Sequence, residues 1–512
     1  MSFRMSENLY DVLAQGFPAD RAQTALELAD GTQLSYAHLE AQAGRYARLL
    51  QDLGVKPGDR VAVQTDKSAN AVFFYLGAVR MGAVYLPLNV GYTAAEMEYF
   101  LGDAKPALAV CRPQAESAMR EIAGKTGVPH VHTMDGDGGG SLTEAAAGLE
   151  PLTESYPAKA DELAAILYTS GTTGRSKGAM LTHRNLSSNA LALKRIWGFR
   201  PDDVLLHMLP IFHVHGLFVA INTTLATGAR MHFLPKFDAD QALALLPRCS
   251  VMMGVPTFYV RLVGHEGFTR EVAANMRLFV SGSAPLLEET FEAFEQRTGM
   301  RILERYGMTE CGMITSNPYE EGPGRERRAG TVGFPLPDVE VRVADEDGKV
   351  LGPEEIGVLE VKGPNVFKGY WQMPEKTAEE FRSDGFFITG DMSKIDAEGY
   401  VHIVGRAKDL VISGGYNVYP KEIELVIDQL PGVVESAVVG LPHPDFGEAV
   451  TAIVKRSGEI GEEEIIEACA KELAKFKVPK RVFFIEELPR NTMGKVQKAE
   501  LRKTYGETFK AA

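Results

Sequence analysis

Amphipathic helical stretches alternate with short apolar runs through the first half of the chain, as in HLEAQAGRYARLLQDLG, RVAVQT, AVFFYLGAVRMG and AVYLPLN. A helical period that gives way to brief apolar runs bounded by Gly or Pro predicts an α/β fold. The rhythm returns at LALLPR, VMMGVP, MRLFVSGSA and RILERYGM, where strand-like runs end in loops of Gly, Ser and Pro. Such loops are where open α/β sheets take their ligands. From about Thr331 to Gly405 the pattern becomes four closely spaced strands, VEVRVA, GVLEVKG, GFFITGD and YVHIVG, separated by DEDG, DG and EG turns. After Gly405-Arg406-Ala407-Lys408-Asp409 a new unit begins, reading helix, strand, strand, helix, strand. The expectation is a large N-terminal domain, residues 1–407, of two α/β subdomains plus a β-rich subdomain, followed by a small C-terminal α/β domain, residues 408–512.

Charge narrows the partners. The 512 residues hold 54 Lys+Arg against 68 Asp+Glu, a net −14, yet residues 471–512 hold 11 Lys/Arg against 5 Asp/Glu. An acidic body argues against nucleic acid as a partner, because that affinity comes from clustered cations. No apolar run of ~18 residues is present and the N-terminal stretch lacks a charged segment followed by an apolar one, so neither a membrane nor secretion is expected. The cysteines, Cys111, Cys249, Cys311 and Cys469, share no short spacing. They indicate neither a disulfide framework nor a zinc site, and a reducing cytoplasm suits them.

The strongest chemical signal is Tyr168-Thr169-Ser170-Gly171-Thr172-Thr173-Gly174-Arg175-Ser176-Lys177-Gly178, which follows the apolar run LAAIL. Glycines let successive N–H groups turn toward phosphate oxygens, hydroxyls add donors, and Lys177 adds a point charge. This is chemistry for a polyphosphate. A Walker A loop needs Gly-Lys followed by Ser or Thr, and here Lys177 lies between Ser176 and Gly178, so the P-loop reading fails on spacing.

The loop closely resembles the signature of the adenylate-forming superfamily, which includes acyl-CoA synthetases, nonribosomal adenylation domains and luciferases. Four further motifs follow in order: Tyr306-Gly307-Met308-Thr309-Glu310, Thr389-Gly390-Asp391, Gly405-Arg406-Ala407-Lys408-Asp409, and Pro489-Arg490-Asn491-Thr492-Met493-Gly494-Lys495. The resemblance spans essentially the whole chain. It implies ATP and CoA as substrates, Mg²⁺ held by Glu310, phosphate contacts from Thr309 and Lys177, and Tyr306 stacked on adenine beside Ser283, Ala284 and Pro285. Asp391 would take the ribose hydroxyls, with Arg406 nearby, and Lys495 would bridge carboxylate and α-phosphate during adenylation. Lys408 would be the hinge of a mobile C-terminal domain, whose rotation brings Ser413, Gly414 and Gly415 to the CoA channel. Taken singly, Asp391 also reads as a turn residue, Glu310 as a helix-start charge, and Lys498, Arg502 and Lys503 as solvated surface cations. The resemblance further implies that acylation of Lys495 would act as an off-switch.

The acid is read from arginines. Arg305 and Arg261, the latter in VPTFYVR, stand where a monocarboxylate needs no second cation, and a buried guanidinium without an anion is costly. Here the chain resembles the malonyl-CoA synthetases, with Arg261, Ser283 and Arg305 at the dicarboxylate positions. Ion pairing of Arg305 with Glu304 is the plain alternative. In His207-Met208-Leu209-Pro210-Ile211-Phe212-His213-Val214-His215, His207 and His213 are candidates for the distal carboxylate, and a metal reading of His-x-His lacks a third ligand. Methylmalonate, another short acid, and loading of a carrier protein stay open as alternatives.

Overall fold

The computed structural model describes residues 6–169, 176–413, 416–444, 446–491 and 494–509. Six strands form one sheet in the order His130–Thr133, Leu108–Cys111, Arg60–Gln64, Val84–Pro87, Leu163–Thr169 and Lys177–Thr182. All neighbours are parallel except the last pair. A nine-stranded sheet has a parallel centre built from Leu303–Met308, Leu278–Ser281, Val251–Gly254, Val204–His207, Arg230–Phe233 and Thr24–Leu28. Parallel neighbours need helical crossovers, which is why the alternation in the sequence reads so clearly.

Helix Ala69–Arg80 comes from AVFFYLGAVRMG and is apolar on nearly every side, so it is buried almost throughout. It packs on helix Tyr36–Asp52, and a Cβ at Gly77 would lie 2.6 Å from Ala43 O and 2.9 Å from Tyr46 Cβ, so glycine sets how closely the helices approach. Ser68 and Ser35 cap the two N-termini by accepting from the N–H groups of Ala71 and His38.

The β-rich segment forms one antiparallel sheet of Glu340–Ala344, Gly357–Lys362, Phe387–Ile395 and Val401–Arg406. The chain then passes through a single turn of 3₁₀ helix, Ala407–Asp409, into a five-stranded sheet covered by helices Pro420–Asp428 and Glu462–Glu472. That last unit closes its own apolar core around Val438, Ala452, Ile423 and Ile465. The fold is therefore mixed α/β, with a large N-terminal part and a small C-terminal one.

Candidate active site

Two of the motif segments, residues 281–285 and 306–310, lie at the ends of neighbouring strands of the nine-stranded sheet, while the glycine-rich loop follows Leu163–Thr169 of the six-stranded sheet and Asp391 and Arg406 sit in the four-stranded one. Strand Leu303–Met308 pairs parallel with Leu278–Ser281, placing Ser281 beside Glu304, and antiparallel with Gly312–Ser316, placing Arg305 beside Ser316. Strand alternation sends the side chains of Glu304 and Arg305 to opposite faces. Arg305 is 3% exposed, and its Nε and Nη2 have no hydrogen-bond partner. It forms no ion pair among the described residues. Its guanidinium lies over Gly282, where any Cβ would strike it. Burial pulls its pKa down to about 9, with Tyr259 and Glu304 opposing. Glu304 instead accepts the Leu286 N–H at 3.2 Å, and burial pushes its carboxyl up to about 8. The Glu304–Arg305 ion pair expected as the plain alternative is not formed.

Ser283 adopts φ +73°, a left-handed conformation that costs a non-glycine residue energy and is held here by its neighbours. Its Oγ lies 3.2 Å from His215 Nδ1. His215 is buried with Nε2 unpartnered, and burial together with Arg305 depresses its pKa well below the usual imidazole range. His213 is driven down to about 3 by burial, with Lys495 and Arg305 adding. Both rings are neutral hydrogen-bonding groups. His207 departs from its expected role as a ligand of the acid. Its Nε2 lies 2.8 Å from Gly216 O and its Nδ1 2.7 Å from Lys67 Nζ, so both ring nitrogens are engaged within the protein. His207 braces the start of the π-helix His215–Ile221, while His215, named in the same segment but not selected as a candidate, holds the free nitrogen. The His-x-His spacing was the only signal for it.

Arg261 is also placed differently from expectation. It sits in the last turn of helix Pro256–Val263 and is exposed, so the cost of a buried unpaired guanidinium applies to Arg305 alone. One turn earlier, Thr257 flanks Gly494 of the C-terminal lysine motif, within 3.6 Å of the position a Cβ would take there. The face of this helix that carries Thr257 and Arg261 thus adjoins the loop leading to Lys495.

At the nucleotide end, Thr309 and Glu310 form the turn between strands Leu303–Met308 and Gly312–Ser316, not a helix start. Tyr306 donates its hydroxyl to Asp391, which is 3% exposed and forms an ion pair with Arg406, whose Nε lies 2.6 Å away. Asp391 and Arg406 face each other in register across neighbouring strands. Glu310 is 6% exposed, its Oε1 lies 3.1 Å from the Tyr370 hydroxyl oxygen, and burial raises its pKa. Lys177 opens strand Lys177–Thr182 opposite Thr169 and pairs with Glu380 at 2.8 Å. Ser176 O accepts the Tyr99 hydroxyl at 2.8 Å. Ala284 and Pro285 continue the loop after Ser283, and Gly307 and Met308 complete the strand before Thr309. Ser170, Gly171, Thr172, Thr173, Gly174 and Arg175 lie outside the described residues, as do Gly414 and Gly415.

Lys495 comes from the other domain. Its N–H donates to Asn491 Oδ1 at 2.9 Å, and Arg490 Nη1 donates to Gly494 O at 2.6 Å while its Nη2 pairs with Glu435. Lys495 is exposed, yet desolvation by the surrounding walls, with Arg406 and Arg305 adding and Asp391 and Glu310 opposing, holds its ammonium below the ordinary lysine range. These neighbours set the lysine at the meeting point of the two ends of the crevice. Of the tail cations expected to be solvated, Lys498 pairs with Glu424 at 2.5 Å and Arg502 with Asp409 at 2.7 Å. Lys408, in the turn between domains, is lowered to about 8 by burial and by Arg406. Ser413 is buried in strand Val411–Ser413.

Among the described residues no group of three or more His, Cys, Asp or Glu is arranged to hold a metal. The buried carboxylate of Glu310 beside the Thr309 hydroxyl suits Mg²⁺, which takes one or two protein oxygens and fills its sphere with water and phosphate. No helix among the described residues is long and apolar enough to cross a membrane, and all four cysteines are buried and free.

The model of the AMP-binding enzyme family matches residues 12–371, and that of the AMP-binding enzyme C-terminal domain matches residues 422–495. The chain belongs to the AMP-binding enzyme family. Within it, the chain falls among acid–CoA ligases. It is 35% identical to a malonate–CoA ligase of Arabidopsis thaliana, covering 93% of this chain and 85% of that one. It is also 35% identical to the long-chain-fatty-acid–CoA ligase FadD13 of Mycobacterium tuberculosis, covering 95% and 96%. The ATP-bound crystal structure of MatB from Rhodopseudomonas palustris superposes with a TM-score of 0.96 at 56% identity, covering 99% of this chain and 100% of that one. Apo MatB superposes over the same spans at 0.85. This AMP-binding enzyme therefore superposes more closely on the ATP-bound form than on the apo form.

Proposed function

We propose that this enzyme is an ATP-dependent ligase that joins malonate to CoA through malonyl-AMP, releasing AMP and pyrophosphate. A malonate carboxylate oxygen attacks the α-phosphorus of ATP, and the bond to pyrophosphate breaks. Both reactants are anions, so the protein must offset their repulsion and hold them in line. Lys495 lies where the acid and the α-phosphate meet. Tyr306, Asp391 and Arg406 bind the nucleoside, while Lys177 and its loop bind the outer phosphates. Thr309 and Glu310 would hold Mg²⁺, which when bound neutralises phosphate charge. The CoA thiolate then attacks the acyl carbon and AMP leaves, a step we assign to a second orientation of the C-terminal domain turning at Lys408 and presenting Ser413, Gly414 and Gly415.

The observation that carries the choice of malonate is Arg305, a buried guanidinium with two unpartnered nitrogens and no protein carboxylate paired to it. A second carboxylate in the substrate supplies the missing anion with bidentate geometry. His215 and Ser283 stand beside it, and His213 lies between it and Lys495. Relatives named for malonate favour the same acid. Pyrophosphate release measured over malonate, methylmalonate, succinate, propionate and benzoate, with and without CoA, tests the reading. Malonate should turn over in a CoA-dependent way and propionate, lacking the second carboxylate, should not; equal turnover of the two would sink it.

A further inference from the structure

The motifs leave one network at the nucleotide end unexplained. Lys177 Nζ lies 2.8 Å from Glu380 Oε1, and Lys376 Nζ approaches the same oxygen at 3.3 Å. The Tyr370 hydroxyl donates to Glu380 Oε2 at 2.7 Å, and its ring lies 4.0 Å beneath the Lys177 ammonium. Glu380 follows helix Pro374–Glu379, and its carbonyl accepts the Ile388 N–H at 2.8 Å, so its backbone is pinned. The ion pair is only about a fifth exposed on either side, which screens it less than a surface pair.

We propose that Glu380 is the resting counter-ion of Lys177, displaced when the β- and γ-phosphates of ATP take the lysine. The proposal rests on reading Lys177 as the lysine of the outer phosphates. One ammonium cannot serve a carboxylate at contact distance and a polyphosphate equally, and the carboxylate also repels the incoming anion. ATP must break the pair, whereas AMP, which lacks the outer phosphates, leaves it intact. Tyr370 and Lys376 keep Glu380 in place once Lys177 has gone, ready to take the lysine back when pyrophosphate departs. Glu380 is thus a positioning residue that holds down affinity for ATP and for pyrophosphate.

Equilibrium binding of ATP and AMP without acid, to wild type, Glu380→Gln, Lys177→Met and the double variant, tests this. Glu380→Gln should bind ATP about three- to tenfold more tightly and AMP unchanged. That gain should largely vanish in the Lys177→Met background, and Glu380→Asp should stay near wild type. Lys177→Met that loses ATP and AMP equally would remove the phosphate role of Lys177 and the proposal with it. Selective loss of ATP in Lys177→Met, with no gain in Glu380→Gln, would overturn the counter-ion role alone.

Discussion

Adjacent residues 304 and 305 are an acid and a base that part company, because a strand sends their side chains to different faces. Arg305 keeps its charge for a ligand, and Arg305→Gln should cut kcat/KM for malonate about a hundredfold or more while leaving ATP binding near normal. Steady-state kinetics beside nucleotide titration would check this. Glu304 gives a pH signature. Its folded pKa, about 8, lies above the ordinary 4.5, so between those values the folded chain keeps a proton that the unfolded chain has lost. Its stabilising contribution is therefore complete below about pH 4.5 and is lost as pH rises toward about 8. Melting temperatures of Glu304→Gln should fall less steeply than wild type between these limits. At Lys495, acylation would remove the charge that adenylation needs, a regulatory role we propose; Lys495→Gln should make little malonyl-AMP.

Among the elements, the hairpin around Lys495 shows how the lysine we propose as catalytic is held in a tail. Arg490 ties Gly494 O to Glu435 on strand Val433–His443, and Asn491 closes the turn onto the Lys495 N–H. Loosening this brace should misplace Lys495 without touching the chemistry of CoA. Glu435→Gln should slow malonyl-AMP formation about tenfold, as expected from a misaligned catalytic group, and spare thioester formation from supplied malonyl-AMP. Equal loss in both half-reactions would show general damage to the domain instead. The antiparallel pairing of Asp391 with Arg406 is likewise set by the elements, since register alone brings the two together.

For the whole molecule, two large sheets supply the crevice and a small domain supplies one lysine. The turn Ala407–Asp409 is all that connects the small domain to the strand carrying Arg406, so it is the natural place for rotation. Lys408→Pro would restrict the backbone there. It should impair the CoA step more than adenylation, read by comparing overall turnover with malonate-dependent pyrophosphate exchange. The net −14 excludes a long phosphate polymer without excluding phosphate, because Lys177, Arg305, Arg406 and Lys495 focus positive potential into one cleft of an acidic body.

The α/β class, the β-rich insert, the small C-terminal unit and a glycine-rich loop suited to phosphate were legible in the sequence, because helical and strand periods and such loops are local properties of the chain; the adenylating chemistry was implied only by the resemblance of five ordered motifs to a family. Partnerships were not. Lys177 meets Glu380 across 203 residues, and Tyr370 meets Glu310 across 60. No local pattern marked Glu380 or Tyr370, and none distinguished His215, with its free nitrogen, from His207, locked between Lys67 and Gly216. Nor could sequence tell that Arg261 is exposed while Arg305 is buried without an anion. Residue types declare which chemistry is available, but burial and pairing decide which groups remain free to perform it, and only the packing of distant segments sets those.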